Sequence, residues 1–460
     1  MLSSRRAVVR LTRRTASEGI ALVPRISTHR PAQPSRRHGY STTCTTEHRR
    51  PINPAAIVDA VTAASPKDIR YDNVFLRDAC SCNLCVNPSS KQKSFSTAQL
   101  PADVHPKMTS LLDNGDVMIK WTASGYPDHV STYTPQQLQR LGDPLARYNA
   151  RWNFAKPQLL WNAEALEGNL VSRSYDKYLS DDDAFKDVVM GLYSVGIAFV
   201  TDAPAAERDT DGQIVVEKLA KKIGYIKETF YGTSWDVIAL PDAKNIAYTS
   251  VNLPLHMDLL YYESPPGIQL LHCVSNTADG GESVYADSFR AAKIIHDRDP
   301  AAFKALCTFP ITFHYDNDGH HYMHSRPVIE LDPFYRQYHP SMPEYKIRCV
   351  NYSPPFQAPF DHHVTQSEIE PSTLTEHGEF REFLRAYKMF EEILYTRAEQ
   401  FEDKFMPGVI ALFMNRRVLH SRREFKLGSS DTAQEYGRWL KGTYLDIDSF
   451  YSKLRVLSGL

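Results

Sequence analysis

The chain has 460 residues, of which 42% are hydrophobic and 23% are charged. This length exceeds one ordinary core and predicts two domains and a tail. No run of about 18 apolar residues occurs, so a membrane span is not predicted. The formal net charge is −1, but the charges are distributed unevenly along the chain.

The first 50 residues differ in composition from the rest. They hold eleven arginines, no lysine and only two acidic residues, Glu18 and Glu47. An Arg-rich, Ser/Thr-rich and acid-poor start is typical of a mitochondrial transit peptide, so we expect residues 1–50 to direct the protein to the mitochondrial matrix. A disordered basic arm without a targeting function is the alternative. The remaining chain is acidic overall, which argues against nucleic-acid binding.

Residues 65–150 are predicted to form a small β-rich domain. Asn73–Arg77 and Val117–Trp121 have the composition of strands, and the turn at residues 113–116 (Asp-Asn-Gly-Asp) predicts a hairpin before the second. A helix is predicted over Pro135–Leu141. Pro144 and the polar residues after it indicate a domain boundary.

Three of the seven cysteines are clustered in this small domain. Cys80, Cys82 and Cys85 lie within six residues, a spacing that favours a metal site over disulfides. Three thiolates and one imidazole make a closed tetrahedral zinc site, which is structural because no coordination position stays open. His129 and His105 are the two candidates for the fourth ligand.

Residues 165–460 are predicted to form the larger domain. Helices are predicted at 181–190, 215–222, 288–297 and 376–401, and buried strands at 196–200, 246–248, 268–273, 283–285, 409–414 and 438–445. Short strands with inserted helices favour a mainly β fold, a double-sheet jelly roll. The sequence has no glycine-rich dinucleotide turn and no phosphate loop, which disfavours nucleotide cofactors.

The sequence His256-Met257-Asp258 suggests a metal site. Side chains alternate along a strand, so the imidazole and the carboxylate are expected on the same side. With His420 from a later strand or loop they would complete the two-histidine, one-carboxylate triad of non-heme Fe(II) oxygenases. Three ligands leave room for a bidentate cosubstrate and dioxygen. A chance tripeptide and a core histidine are the alternatives.

An arginine in the last strand is the candidate partner of a cosubstrate. A 2-oxoacid with a second carboxylate needs a buried, planar, bidentate partner, and arginine serves this better than lysine. Arg438 lies in a strand-like run after His420, and Arg422 and Arg423 are its competitors.

Aromatic residues surround these positions in the sequence. The faces of tryptophan and tyrosine attract a quaternary ammonium group through cation–π interactions. Ordinary core packing is the alternative. The candidates are Tyr231, Trp235, Tyr248 and Tyr444.

These motifs together resemble one enzyme family, and the resemblance runs from about residue 70 to the C-terminus. The matching segments are residues 76–85, with Leu-Arg-Asp-x-Cys-x-Cys-x-x-Cys, and residues 230–235, 245–249, 256–258, 265–273, 280–283, 415–423 and 438–444. They are similar to the γ-butyrobetaine dioxygenase family, which also includes the trimethyllysine dioxygenases.

The resemblance implies a zinc-bearing N-terminal domain followed by a double-stranded β-helix. It also implies hydroxylation that depends on Fe(II), 2-oxoglutarate and dioxygen and releases succinate and carbon dioxide, with ascorbate as an accessory reductant and a homodimer as the assembly. The implied ligands of iron are His256, Asp258 and His420. Arg438 would bind 2-oxoglutarate, and His129 would complete the zinc site.

The same resemblance implies how a trimethylammonium acid would be bound. Tyr231, Trp235, Tyr248 and Tyr444 would enclose the cationic end. Asn245 and Asn351 would contact the carboxylate. The chain departs from the family pattern by an insertion between His420 and Arg438 and by an aromatic run at residues 259–262.

We therefore expect hydroxylation of γ-butyrobetaine to carnitine. Trimethyllysine, or another trimethylammonium acid, is the nearest alternative substrate. The α-amino group of trimethyllysine would need an acidic partner, for which Glu263 is the nearby candidate. A non-catalytic zinc-containing binding protein is a third possibility, and the complete set of His256, Asp258, His420 and Arg438 argues against it.

Overall fold

A computed structural model describes residues 71–143, 146–147, 158–238, 248–333, 345–360, 378–427 and 437–459. The proposed transit peptide at 1–50 lies outside these residues and stays a prediction. Residues 148–157 also lie outside them, so the predicted domain boundary stays a prediction too. None of the described helices is long and apolar enough to cross a bilayer.

The described strands are, in chain order, β1 (His105–Leu111), β2 (Val117–Ala123), β3 (Tyr126–Tyr133), β4 (Val171–Ser174), β5 (Ile197–Thr201), β6 (Ser234–Ile238), β7 (Leu253–His256), β8 (Ile268–Asn276), β9 (Asp279–Gly280), β10 (Ser283–Asp287), β11 (Pro310–Asn317), β12 (His320–Pro327), β13 (Ile329–Leu331), β14 (Ile347–Val350), β15 (Gln400–Asp403), β16 (Ile410–Met414), β17 (Val418–Arg422), β18 (Phe425–Lys426) and β19 (Arg438–Leu445). The described α-helices are α1 (Asn73–Asp78), α2 (Pro135–Gly142), α3 (Ala163–Glu167), α4 (Tyr175–Ser180), α5 (Asp182–Val195), α6 (Val215–Ile223), α7 (Ser288–Arg298), α8 (Pro300–Thr308), α9 (Gly378–Leu394) and α10 (Ile447–Leu457).

The N-terminal part contains a three-stranded antiparallel sheet in the order β1-β2-β3. The predicted hairpin is confirmed, and Gly115 in its turn has φ +83°, a conformation that favours glycine. Inward-facing residues of this sheet pack with Leu76 and Leu138 around the fully buried Trp121. The sheet thus has a small core of its own.

The prediction of a strand at Asn73–Arg77 is wrong, because this segment is helix α1. The side chain of Asp72 accepts a hydrogen bond from the Phe75 amide at 2.9 Å and caps the helix. Such a cap contributes about 1 kcal/mol, enough to outweigh the strand preference of Val74 and Phe75.

Two sheets form the body of the larger part. One has the strand order β15-β10-β17-β7, and the other has the order β4-β5-β16-β8-β19-β6. The pairs are antiparallel except for the parallel pair β4–β5. Side chains from both sheets meet in one core that includes Tyr285 and Val418 on one side and Leu271, Phe413 and Leu440 on the other. This is the predicted jelly-roll arrangement, mainly β with inserted helices.

Helices cover the outer face of the six-stranded sheet. In β16, Ala411 and Phe413 face the core between the sheets, whereas Ile410, Leu412 and Met414 pack against a second core with helices α5 and α6. A strand that is covered on both faces reads as a continuous apolar run. This explains why the sequence predicted β16 as buried.

The helix predicted at 376–401 is shorter in the structure, where α9 ends at Leu394. Gln400–Asp403 form strand β15, which pairs with β10 and places Phe401 opposite Tyr285. The sheet edge therefore overrides the local helical pattern at the end of the predicted helix. Glu376 lies outside the described residues.

Candidate active site

The two residues of the His-x-Asp motif occupy different local structures. His256 is the last residue of β7, and Asp258 lies in the turn that follows. The expectation that both stand on one extended strand is therefore wrong in detail. Their side chains still approach closely, with His256 Nε2 3.3 Å from Asp258 Oδ1. The turn directs the carboxylate back towards the strand end.

Strand pairing brings the distant histidine to the same point. β17 runs antiparallel to β7 with His420 opposite His256, and the two imidazole ring centres are 4.1 Å apart. His420 Nε2 lies 3.8 Å from Asp258 Oδ1. Two imidazole nitrogens and one carboxylate oxygen thus converge, which is the donor set of an Fe(II) triad.

Hydrogen bonding and burial prepare these groups as ligands. His256 Nδ1 lies 2.8 Å from the Pro254 carbonyl oxygen, which orients the ring with Nε2 towards Asp258. Burial and, to a smaller extent, the neighbouring His256 lower the pKa of His420 to about 3. Burial opposes ionisation of Asp258, but His256, His420 and Tyr444 hold its pKa well below its usual range. A neutral imidazole and an ionised carboxylate are the forms that bind a metal.

The triad lines a cavity between the sheets. The described residues around it are Tyr231, Trp235, Val237, Tyr248, Leu253, His256, Asp258, Leu259, Tyr261, Gln269, Leu271, Ser283, Tyr285, Phe356, His420, Ser421, Arg422, Arg438, Leu440 and Tyr444. Asp258 is the one carboxylate among them. The described wall therefore combines the His256, Asp258 and His420 triad with two arginines and an aromatic region.

Two of the three candidate arginines reach this cavity. Arg422 and Arg438 are both 4% exposed and flank Phe425, with guanidinium carbons 4.9 and 5.5 Å from its ring centre. Burial lowers the pKa of Arg438 to about 10, so it stays protonated at neutral pH. Arg423 lies elsewhere, with its guanidinium 3.1 Å from Gln400 and 3.0 Å from Glu402.

Arg438 is suited to bind an anion. Its Nε is buried and has no hydrogen-bond partner among the described residues. An unsatisfied buried guanidinium group is costly, and a carboxylate would relieve that cost. Gly281 lies beside this arginine and adopts φ +73°. A Cβ at this position would lie 3.3 Å from Arg438 Nε, so a residue with a side chain would crowd the guanidinium group.

All four predicted aromatic residues line the cavity. The ring centres of Tyr231 and Trp235 are 6.4 Å apart, and Trp235 stacks on Tyr444 at 3.9 Å. Gly442 permits this stack, because a Cβ there would come within 2.5 Å of the Trp235 ring. Burial raises the pKa of Tyr248 to about 12, so its hydroxyl is neutral at neutral pH.

The cysteine cluster is also brought together. The Sγ atoms of Cys80, Cys82 and Cys85 lie 3.4, 3.6 and 3.5 Å from His129 Nε2. His105 is exposed on β1, and its Nδ1 lies 2.8 Å from the Asp103 carbonyl oxygen. Of the two candidate histidines, the structure thus places His129 at the three thiols.

A family model described as taurine catabolism dioxygenase TauD, TfdA family, matches residues 156–444, more than half of the chain. The chain belongs to the TauD/TfdA dioxygenase family. It is therefore an oxidoreductase, a 2-oxoglutarate-dependent dioxygenase. A second model, described as gamma-butyrobetaine hydroxylase-like, N-terminal, matches residues 60–139 of this TauD/TfdA family member.

Curated relatives of this dioxygenase include several named enzymes. Dioxygenase str8 of Strobilurus tenacellus is 32% identical, and the alignment covers 85% of this chain and 86% of the relative. Gamma-butyrobetaine dioxygenase of Pseudomonas sp. (strain AK-1) is 29% identical, with 86% and 93% covered. Mitochondrial trimethyllysine dioxygenase of Bos taurus is 28% identical, with 85% and 83% covered.

Of the two predicted asparagines of the dioxygenase, the structure describes only Asn351. Asn245 lies outside the described residues. Asn351 is fully buried elsewhere, where its amide donates to the Pro327 carbonyl at 2.7 Å and to Glu330 at 3.0 Å and accepts from Arg416. Its polar atoms are satisfied there, so the structure does not bring Asn351 to the triad.

Sequence reasoning did not single out several residues of this wall. Gln269 is 2% exposed, and its Oε1 has no hydrogen-bond partner among the described residues. A glutamine inside the apolar run of β8 is an anomaly that could have identified it. Tyr261 and Phe356 join the aromatic side of the cavity, and Phe356 had no recognisable signal because it comes from a short 3₁₀ turn.

Proposed function

We propose that this dioxygenase binds Fe(II) through His256, Asp258 and His420 and hydroxylates γ-butyrobetaine to carnitine. The observation that carries the proposal is the combination of residues that line one cavity. The triad, a buried arginine pair and an aromatic region line this cavity together. Among the described lining residues, Asp258 is the one carboxylate.

The triad and the buried arginines line the same cavity, as a cosubstrate that contacts both would require. Arg438 would bind the distal carboxylate of 2-oxoglutarate, and Arg422 adds a second buried positive charge beside it. Iron with 2-oxoglutarate and dioxygen supplies the oxidising power for hydroxylation of an unactivated C–H bond and yields succinate and carbon dioxide. The chain's own part in this step is to hold 2-oxoglutarate through Arg438.

The aromatic side of the cavity suits a trimethylammonium group. Tyr231, Trp235 and Tyr248 present neutral rings, and cation–π attraction in a desolvated site is worth about 2 kcal/mol or more. Fixing the cationic end there would orient one C–H bond towards the triad. Such positioning is the principal contribution that a protein makes to this chemistry.

Trimethyllysine fits the described cavity less well than γ-butyrobetaine. Its α-amino group would need an acidic partner, and Asp258 is the one carboxylate on the described wall. Glu263, the acidic residue considered from the sequence, lines a different cavity together with Arg326 and Arg416. The described wall therefore offers this α-amino group no matching charge beyond the metal-ligand candidate Asp258.

A substrate panel tests this proposal. We expect γ-butyrobetaine to stimulate succinate release with stoichiometric carnitine formation and a kcat/KM at least about tenfold above that of trimethyllysine. Taurine serves as the family comparison. The carbon analogue 5,5-dimethylhexanoate has the same shape with an uncharged tert-butyl group in place of the trimethylammonium group. Loss of about 2 kcal/mol of cation–π attraction should weaken its binding about 30-fold. Preference for trimethyllysine, or equal use of the carbon analogue, would contradict the proposal.

We also propose a structural zinc ion at Cys80, Cys82, Cys85 and His129. Three thiols and one imidazole are the donor set of closed zinc sites, and Arg77 donates to Cys85 Sγ at 3.3 Å as an outer partner. We expect metal analysis to find one zinc per chain. Cys85→Ala should lose this zinc and lower the melting temperature, whereas Cys307→Ala, outside the cluster, should retain it. Full zinc content in Cys85→Ala would refute the site.

A further inference from the structure

The carboxylate of Asp258 has two oxygens in different surroundings. Oδ1 faces the two imidazoles, 3.3 Å from His256 Nε2 and 3.8 Å from His420 Nε2. Oδ2 accepts a hydrogen bond from the hydroxyl of Tyr444 at 2.6 Å. This length is typical of a strong O–H···O⁻ bond. One oxygen is thus engaged by a tyrosine, and the other is left for a metal.

The ring of Tyr444 is itself fixed. It lies on β19, is 1% exposed and stacks on Trp235 at 3.9 Å with an interplanar angle of 24°. One face and the hydroxyl are therefore in use within the protein. Tyr444 still lines the cavity, so these contacts add to the role in the aromatic enclosure that the resemblance implied.

The backbone of Asp258 is held by a second residue. Its amide donates to Asn415 Oδ1 at 2.9 Å, and Asn415 Nδ2 donates to the Asp258 carbonyl at 2.9 Å and to the Pro266 carbonyl at 3.0 Å. Asn415 is fully buried in the turn between β16 and β17, the strand that carries His420. One side chain therefore ties two ligand-bearing segments together.

We propose that Tyr444 and Asn415 are positioning residues that fix Asp258 so that only Oδ1 faces the metal. The inference rests on the proposed Fe(II) site. Asn415 fixes the main chain of the turn, and Tyr444 fixes the rotation of the carboxylate. Partners that orient a ligand in this way typically change metal affinity 10- to 100-fold when they are removed.

Tyr444→Phe tests the proposal because it keeps the ring on Trp235 and removes only the hydroxyl. We expect Mn(II), titrated by calorimetry without 2-oxoglutarate or substrate, to bind about 10-fold or more weakly, while the melting temperature of the metal-free protein changes little. Tyr178→Phe is the control. It removes a buried hydroxyl that donates to the Leu219 carbonyl at 3.1 Å, outside the residues that line the cavity, and should leave Mn(II) affinity unchanged.

Asp258→Ala distinguishes failure of the proposed metal site from failure of the proposed role of Tyr444. If Asp258→Ala binds Mn(II) as tightly as the unmodified protein, the proposed metal site itself is wrong. If Asp258→Ala loses binding while Tyr444→Phe retains full affinity, the metal site stands and the role of Tyr444 is refuted. Asn415→Asp keeps the acceptor and removes both amide donors, so it should also weaken Mn(II) binding. If the Asn415→Asp variant does not fold, the Mn(II) affinity of Tyr444→Phe alone tests the proposal.

Discussion

Replacing Arg438 with alanine is expected to raise the 2-oxoglutarate concentration for half-maximal turnover by roughly 30-fold or more. Loss of one partner of a buried, hydrogen-bonded charge pair costs about 2–5 kcal/mol. Arg438 is 4% exposed with an unsatisfied Nε, so it is poised to make such a pair with the distal carboxylate. Initial rates of succinate release over a range of 2-oxoglutarate concentrations measure the change.

Arg423 is the matched control for this substitution. It follows Arg422 directly in sequence, but its guanidinium contacts Gln400 and Glu402 rather than the cavity. Arg423→Ala should leave the half-saturating 2-oxoglutarate concentration within about twofold of the unmodified value, because Arg423 is not among the described residues that line the cavity. A large effect in Arg423→Ala with none in Arg438→Ala would reverse the assignment.

The sequence predicted the central strands of the six-stranded sheet better than the two strands that carry the triad histidines. β8 and β16 were recognisable because they are largely apolar runs, whereas the bounds of the short strands β7 and β17 were not predicted. The pairing of His420 with His256 joins strands that are far apart in the chain, and no local pattern reveals it. The resemblance to a known family supplied this pairing. The turn at Asp258 depends on Asn415, a contact that sequence spacing does not show.

The errors have related physical causes. Asn351 was expected at the substrate, but Glu330 and Arg416 satisfy its amide in a separate charged cluster. The end of the predicted helix after Leu394 became β15 because the edge of β10 was available for pairing. In both places tertiary partners decided the outcome, and a single sequence contains no direct signal for them.

The largest effect on stability is expected at an ion pair behind the metal site. Arg417 and Asp287 have fully buried side chains, joined at 2.9 and 3.1 Å. Arg417 also donates to the Ser194 carbonyl at 2.9 Å and to the Leu159 carbonyl. Asp287 accepts from the amides of Trp161 and Phe289, both at 3.1 Å. The pair therefore connects α7, the end of α5 and the turn that leads to His420.

Arg417→Ala should lower the free energy of unfolding by about 3–5 kcal/mol, because it leaves the Asp287 charge buried without its partner. Urea unfolding of the metal-free protein measures this change. The control is Arg173→Ala, which breaks the exposed pair with Asp187 and should cost at most about 1 kcal/mol. A cost below about 1 kcal/mol in Arg417→Ala would show that the pair is not essential to the fold. The expected loss would instead show that a buried charge pair outside the cavity stabilises the part of the fold that holds the strand with His420.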